Sequence, residues 1–273
     1  MVPIQKKSFL FLWLIIPVCA GVLYPYLKNE PKYLEGLTIG ILIYVLFFSV
    51  VVHELCHGLA AHFCGDPTAK DAGRLTFNPI SHVSVVGSIA VPLVLYFMKA
   101  PAVFGWAKPV PFNPIKLRQH PRDQVMLAVA GPLSNFTLSY LCFNLYLIIG
   151  FIFNRFFPES PIYIQLEIFA PISLRKVPFE AFWFVLLEIL NFGMIINAVL
   201  GIFNLIPFPP LDGSWILKAL LPKKAVVFFG KLQMLGFILL IVALQLGLLK
   251  ILFYPLVIVL GFFYGISEFV FAY

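Results

Sequence analysis

Two histidines and a glutamate stand at the end of a long apolar run, in Val51-Val52-His53-Glu54-Leu55-Cys56-His57-Gly58. Such groups are expensive in hydrocarbon unless they are used. The apolar segment from residue 36 leads straight into them, so the pattern predicts one helix over 36–62 with its chemistry in the last third. On a helix, residues four apart share a face, so His53 and His57 can both reach one ion. Neutral imidazole is a good ligand for zinc. Glu54, one position along, lies beside such an ion rather than on it, where it can take a proton from water. The bland alternative is a chance match in a long helix. Cys56 lies between the histidines at a usable angle, but a small packing residue is its simpler reading.

The setting follows from composition. Of 273 residues, 61% are hydrophobic and 11% charged, whereas soluble domains carry about 25% charged residues. This excludes a large soluble core and points to a polytopic membrane protein. The net charge of +7 does not indicate nucleic acid. Its lysines and arginines fall in short loops between apolar runs, with no basic stripe interleaved with aromatics. Cys19, Cys56, Cys64 and Cys142 form no CxxC pair, so neither a disulfide framework nor a cysteine zinc site is expected.

In order, residues 8–27 read as a retained first helix rather than a signal peptide, because the run is long and ends in Tyr24 and Tyr26. Residues 36–62 form the second span. Residues 63–81 are polar and turn-rich. The segment 82–107 is apolar only from Val83 to Met98 and holds Gly87 and Pro92. It reads as a re-entrant hairpin, or as short strands beside the site, rather than as a crossing. Residues 124–153 and 179–206 are further spans, and 232–271 a helical hairpin broken at Lys250 and Pro255. The expected fold is therefore an all-α polytopic membrane protein of about six transmembrane helices. It forms one domain over 1–273, with a re-entrant hairpin or short membrane-associated strands between the second and third spans. Twelve basic residues then lie on one side against six on the other, with Lys99 in the hairpin. That bias predicts a multi-pass cell-membrane protein with both termini cytoplasmic.

A catalytic zinc usually has three protein ligands and one open position. His62 is off the face of His53 and His57, and His82 and His120 lie in loops. Asp212 is the best third candidate, a carboxylate in an apolar stretch on the irregular segment Pro207-Phe208-Pro209-Pro210-Leu211-Asp212-Gly213. Three prolines in four positions cannot continue a helix. An equally good role for Asp212 is to cap a helix beginning at Ser214.

His53-Glu54-Leu55-Cys56-His57, Gly131-Pro132-Leu133-Ser134-Asn135 and Asn204-Leu205-Ile206-Pro207-Phe208-Pro209-Pro210-Leu211-Asp212-Gly213, in this order, resemble the three signatures of the site-2 protease family of intramembrane zinc metalloproteases. Gly65-Asp66-Pro67-Thr68-Ala69-Lys70 and Gly105-Trp106-Ala107-Lys108-Pro109-Val110-Pro111 are similar to its compact bacterial and archaeal members. No segment is long and polar enough for the PDZ or cystathionine-synthase-type domains of some relatives. The likeness covers about residues 36–217, which would be the catalytic core. It implies one Zn²⁺ per chain on His53, His57 and Asp212, Glu54 as general base, and Asn135 near the scissile peptide. It also implies membrane-spanning protein substrates in the lipid bilayer. A helix-packing role is the alternative for Asn135, and Asn204 reads as structural, satisfying the unwound backbone near Pro207. The alternative function is a non-proteolytic transporter or metal-binding scaffold that keeps the ligands. Against it, the broken segment does not recur in two halves, and Glu54 is dispensable for mere binding.

Overall fold

The computed structural model describes residues 11–99, 105–119, 121–159, 161–162, 172, 174, 177–222, 226, 235–236, 238–240, 242–243, 245–247 and 254–271. His120, residues 100–104 of the 82–107 segment and much of the 232–253 stretch lie outside the described residues. Within them the chain is helical and contains no strand, so the strand version of the 82–107 segment is not seen there. The elements are α1 (Leu12–Leu27), α2 (Pro31–Phe63), α3 (Thr68–Asp71), α4 (Val91–Phe97), α5 (Arg122–Phe156), α6 (Glu180–Asn204), α7 (Gly213–Leu220) and α8 (Tyr254–Phe271). Helices α2, α5 and α6, with 33, 35 and 25 residues, are long and apolar enough to cross a membrane.

Helix α2 starts five residues before the apolar run does. Hydropathy marks what is buried in lipid, not where the backbone becomes helical. Pro31 suits a first helical position because the N–H it lacks has no partner there. Charged Lys32 and Glu35 simply occupy the wet first turns. The helix ends at Phe63, and the chain turns away at Gly65, whose φ of +101° is strained for any other residue. There the N–H groups of Cys64, Gly65 and Asp66 turn back onto the carbonyls of Ala60, His62 and Ala61.

The chain divides into two compact units. One comprises Leu10–Ser49, Phe136–Val199 and Pro255–Tyr273. Its core is aliphatic and aromatic, around Tyr146, Phe153, Phe184 and Phe192. Trp13 meets Phe48 edge to face at 5.0 Å, and Tyr24 stacks on Phe184 at 4.4 Å. Some of its polar groups bond between helices. Tyr24 donates to Glu180 at 2.9 Å, Ser139 to the Met194 carbonyl at 2.7 Å, and Asn197 to Ser49 at 2.9 Å. Asn197 also donates to the Gly193 carbonyl at 2.8 Å, so it is bonded within this unit.

The other unit comprises Met1–Phe9, Val50–Asn135 and Leu200–Tyr254 and carries all the candidate site residues. Between α2 and α5 it holds turns and short helices, of which Val85–Phe97 is apolar. Residues 82–97 leave as a 3₁₀ turn (Pro79–His82), a π-helical turn (Val85–Ala90) and α4. Residues 105–108 return alongside: Trp106 N donates to Gly87 O at 3.0 Å and Lys108 N to His82 O at 2.9 Å. Gly87 is needed there, since a Cβ would strike the Trp106 indole.

Asp66 ties these turns together. Its buried carboxylate accepts from Thr68 N at 3.0 Å, from the Thr68 hydroxyl and from Asn113 N. Burial raises its pKa, but the hydrogen bonds from Asn113 and Thr68, with the Lys116 charge, outweigh that and hold it below the ordinary 3.8. Charged-group hydrogen bonds contribute about 1.5–3 kcal/mol each when lost singly. We expect Asp66→Ala to destabilise the protein by about 2 kcal/mol. A depressed carboxylate stabilises above its unfolded pKa. Thermal unfolding followed against pH is therefore expected to show a loss that begins near pH 4 and deepens below it in the wild type. That part of the loss is expected to be absent from Asp66→Ala.

Candidate metal centre

His53 and His57 lie one helical turn apart on α2, and their rings meet edge to face at 4.6 Å. Their Nε2 atoms are 3.0 Å apart. Asp212 brings Oδ2 to 3.0 Å from His53 Nε2 and 3.2 Å from His57 Nε2. Among the described residues these three form the one group of histidine, cysteine and carboxylate ligands with donor atoms within 4.8 Å of each other. The structure thus brings together all three residues that the sequence nominates. Cys56 and His62 are not in the group. His82 is buried and bonded through Nε2 to Thr76 O at 3.0 Å.

The far side of each imidazole decides its tautomer. His57 Nδ1 is 2.7 Å from the Leu127 carbonyl, which can only accept, so Nδ1 carries the proton. His53 Nδ1 is 2.6 Å from Asn135 Oδ1 and donates in the same way. In the neutral rings both Nε2 atoms then present lone pairs, toward each other and toward a carboxylate. Three acceptors about 3 Å apart repel unless a cation stands between them. Ligand atoms around a tetrahedral zinc with bonds of about 2.0–2.1 Å would sit roughly 3.3 Å apart. Two imidazoles and one carboxylate at this spacing therefore fit zinc.

Helix α5 makes this arrangement possible. Leu127, Gly131 and Asn135 recur every four residues and so share a face, as His53 and His57 do on α2. That face offers a carbonyl, a gap and an amide. The gap is required: a Cβ on Gly131 would press on His57 Nε2 and stand 2.6 Å from His53 Nε2. Asp212 arrives from the other direction. After Asn204 the chain turns through Pro207, Pro209 and Pro210 and enters α7. Gly213 lets Leu205 O approach where a Cβ would collide. Asp212 stands at the start of α7 but makes no side-chain capping bond. Of the two roles open in the sequence, its carboxylate faces the histidines. Asn204 bonds back to Leu200 O at 3.0 Å within its own helix, not to the unwound segment.

A family model described as Peptidase family M50 matches residues 41–244. The chain belongs to peptidase family M50, the site-2 protease family. Two curated relatives extend the M50 match. The protein named "Putative zinc metalloprotease YwhC" of Bacillus subtilis (strain 168) is 33% identical over 201 residues, covering 74% of this chain and 78% of the relative. "Putative zinc metalloprotease Rip2" of Mycolicibacterium smegmatis is 24% identical over 271 residues, covering 97% of this chain and 90% of the relative. No solved structure matches at the same level of significance.

The side chains of His53, His57 and Asp212 are 9%, 15% and 20% exposed, so this group is largely but not fully buried. Glu54 is half-buried, and its Oε2 accepts from Val110 N at 2.8 Å. Sequence reasoning missed Leu127, whose contribution is a backbone carbonyl, and the part played by Gly131. The signal for Gly131 was its four-residue spacing from Asn135. We expect Gly131→Ala to displace both imidazoles. Zinc per purified chain, read by mass spectrometry of the metal, is expected to fall several-fold while the circular dichroism of the helices is kept.

Proposed function

We propose that this chain hydrolyses peptide bonds of membrane-spanning proteins at the centre formed by His53, His57 and Asp212. It is an intramembrane zinc metalloprotease. The observation that carries the residue assignment is the convergence of three lone-pair donors, each imidazole having its proton on the side away from the others.

Zinc in such a site acts as a Lewis acid on water and on a carbonyl. The chain's own groups do the rest. His53, His57 and Asp212 hold the ion. Glu54 takes a proton from the attacking water as the new C–O bond forms, and returns it to the amide nitrogen as the C–N bond breaks. Asn135 is fully buried, with Oδ1 on His53 Nδ1, so its contribution runs through the orientation of that ring. A substrate helix keeps its peptide bonds internally paired and must unwind locally to be cut.

The topology that suits this chemistry has about six spans and both termini in the cytoplasm, with the whole chain as one protease domain. The segment 82–107 enters and leaves on the same side. Support for that re-entrant course comes from the hydrogen bonds joining 82–87 to 106–108, and support for the orientation from the excess of lysine and arginine on one side.

The test is cleavage of a panel of tagged single-span membrane proteins by the purified protein in liposomes, with products identified by mass spectrometry. Wild type is expected to cut at least one member within or beside its span. Glu54→Gln is expected to reduce cleavage about 10²- to 10⁴-fold while keeping close to one zinc per chain. Asp212→Ala is expected to lose most of its zinc. A Glu54→Gln variant that cleaves like wild type would sink the reading.

A further inference from the structure

The M50 assignment leaves unexplained a buried arginine and an extended segment beside the site. Arg74 is only 8% exposed, and its Nε has no hydrogen-bond partner. A buried guanidinium left partly unsatisfied is costly for a packing role. Its NH2 group is used: it donates to Lys108 O at 2.7 Å. Two residues on, Val110 N donates to Glu54 Oε2 at 2.8 Å. Desolvation lowers the arginine's pKa and the Glu54 charge opposes this, so guanidinium and carboxylate are close enough for each to feel the other.

The chemistry of this segment is restrictive. It reads Lys108-Pro109-Val110-Pro111, and proline has no N–H. Val110 is therefore the single backbone donor within 109–111, and the prolines fix φ on either side of it. The segment is pinned at four points. Lys108 N donates to His82 O at 2.9 Å, Lys108 O accepts from Arg74, Val110 N donates to Glu54, and Asn113 N donates to Asp66. The Val110 side chain is buried with Leu55, Ala69 and Leu75, and its Cγ1 approaches Gly58 so closely that a Cβ there would stand at 3.0 Å.

We propose that Arg74 is a positioning residue for Glu54, acting through Lys108 O and the lone N–H of the Pro-Val-Pro segment. This rests on the reading of Glu54 as general base. With Oε2 held by Val110, Glu54 loses its rotational freedom and Oε1 alone remains to meet water. Pre-set geometry of this kind raises kcat, because a displacement of about 1 Å can cost on the order of 100-fold in rate. Arg74 touches neither the three ligands nor the site of water attack, so zinc binding does not depend on it.

Two measurements test this. Amide hydrogen exchange needs no substrate and reads the Val110 N–H directly, since no other amide exists within 109–111. We expect it to be protected in wild type and to exchange at least about tenfold faster in Arg74→Gln and in Glu54→Ala. On a reporter that wild type cleaves, Arg74→Gln is expected to lower kcat about tenfold or more. KM, zinc content and unfolding temperature should stay near wild type, and Arg74→Lys should recover part of the loss. Unchanged exchange and unchanged kcat in Arg74→Gln would overturn the proposal. Zinc or stability lost together with activity would overturn it in favour of a scaffold role. Failure of the protease reading would appear separately, as a wild type that cleaves nothing.

Discussion

The rest of the structure depends on two hydrogen bonds made at the backs of two imidazoles. His53 and His57 can aim Nε2 lone pairs at one point only if each Nδ1 proton has an acceptor on the opposite side. Asn135 Oδ1 and Leu127 O supply these from one face of α5. Inside an apolar helix no water would otherwise do so. The four-residue period of α2 and the four-residue period of α5 are therefore matched. Gly131, between the two acceptors, removes the side chain that would otherwise hold the helices apart at that level.

Around this pair the protein solves a second problem, the delivery of a carboxylate from an irregular, proline-rich segment. Helix α6 ends at Asn204, and the proline-rich turn leads into α7 with Asp212 at its start. The prolines have no N–H to leave unpaired, which lowers the cost of an irregular backbone in that setting. Gly213 permits the Leu205 carbonyl to pack against the turn. The turns between α2 and α5 carry the buried Asp66, Arg74 and His82. These bond to Asn113 N, Lys108 O and Thr76 O respectively. Buried polar side chains here serve to fix backbone, and that backbone reaches Glu54.

Several features could be read from residues alone because they rest on local periodicity. The i, i+4 spacing of His53 and His57, the length of the apolar runs and the helix-breaking prolines before Asp212 are of this kind. Helix starts were less legible. Hydropathy put α2 at residue 36, yet the backbone is helical from Pro31, since charged side chains in a solvated first turn do not disturb helical geometry. Asn204 was assigned to the unwound segment from its proximity in sequence. In fact it bonds one turn back along α6, to a carbonyl within easy reach of an asparagine at the helix end.

By itself the sequence determined a chain dominated by apolar helices and the ligand types of a zinc peptidase, because helix period, hydrophobic length and donor chemistry are properties of residues and their spacing. Only the tertiary structure shows that the Asp212 carboxylate makes no capping bond and faces His57, 155 residues away in the chain. It also decided the tautomers, through a carbonyl of Leu127 that no side-chain pattern can reveal. The link from Arg74 to Glu54 belongs to the same class. It passes through backbone N–H and C=O groups, which every residue except proline carries alike, so their partners are chosen by the fold.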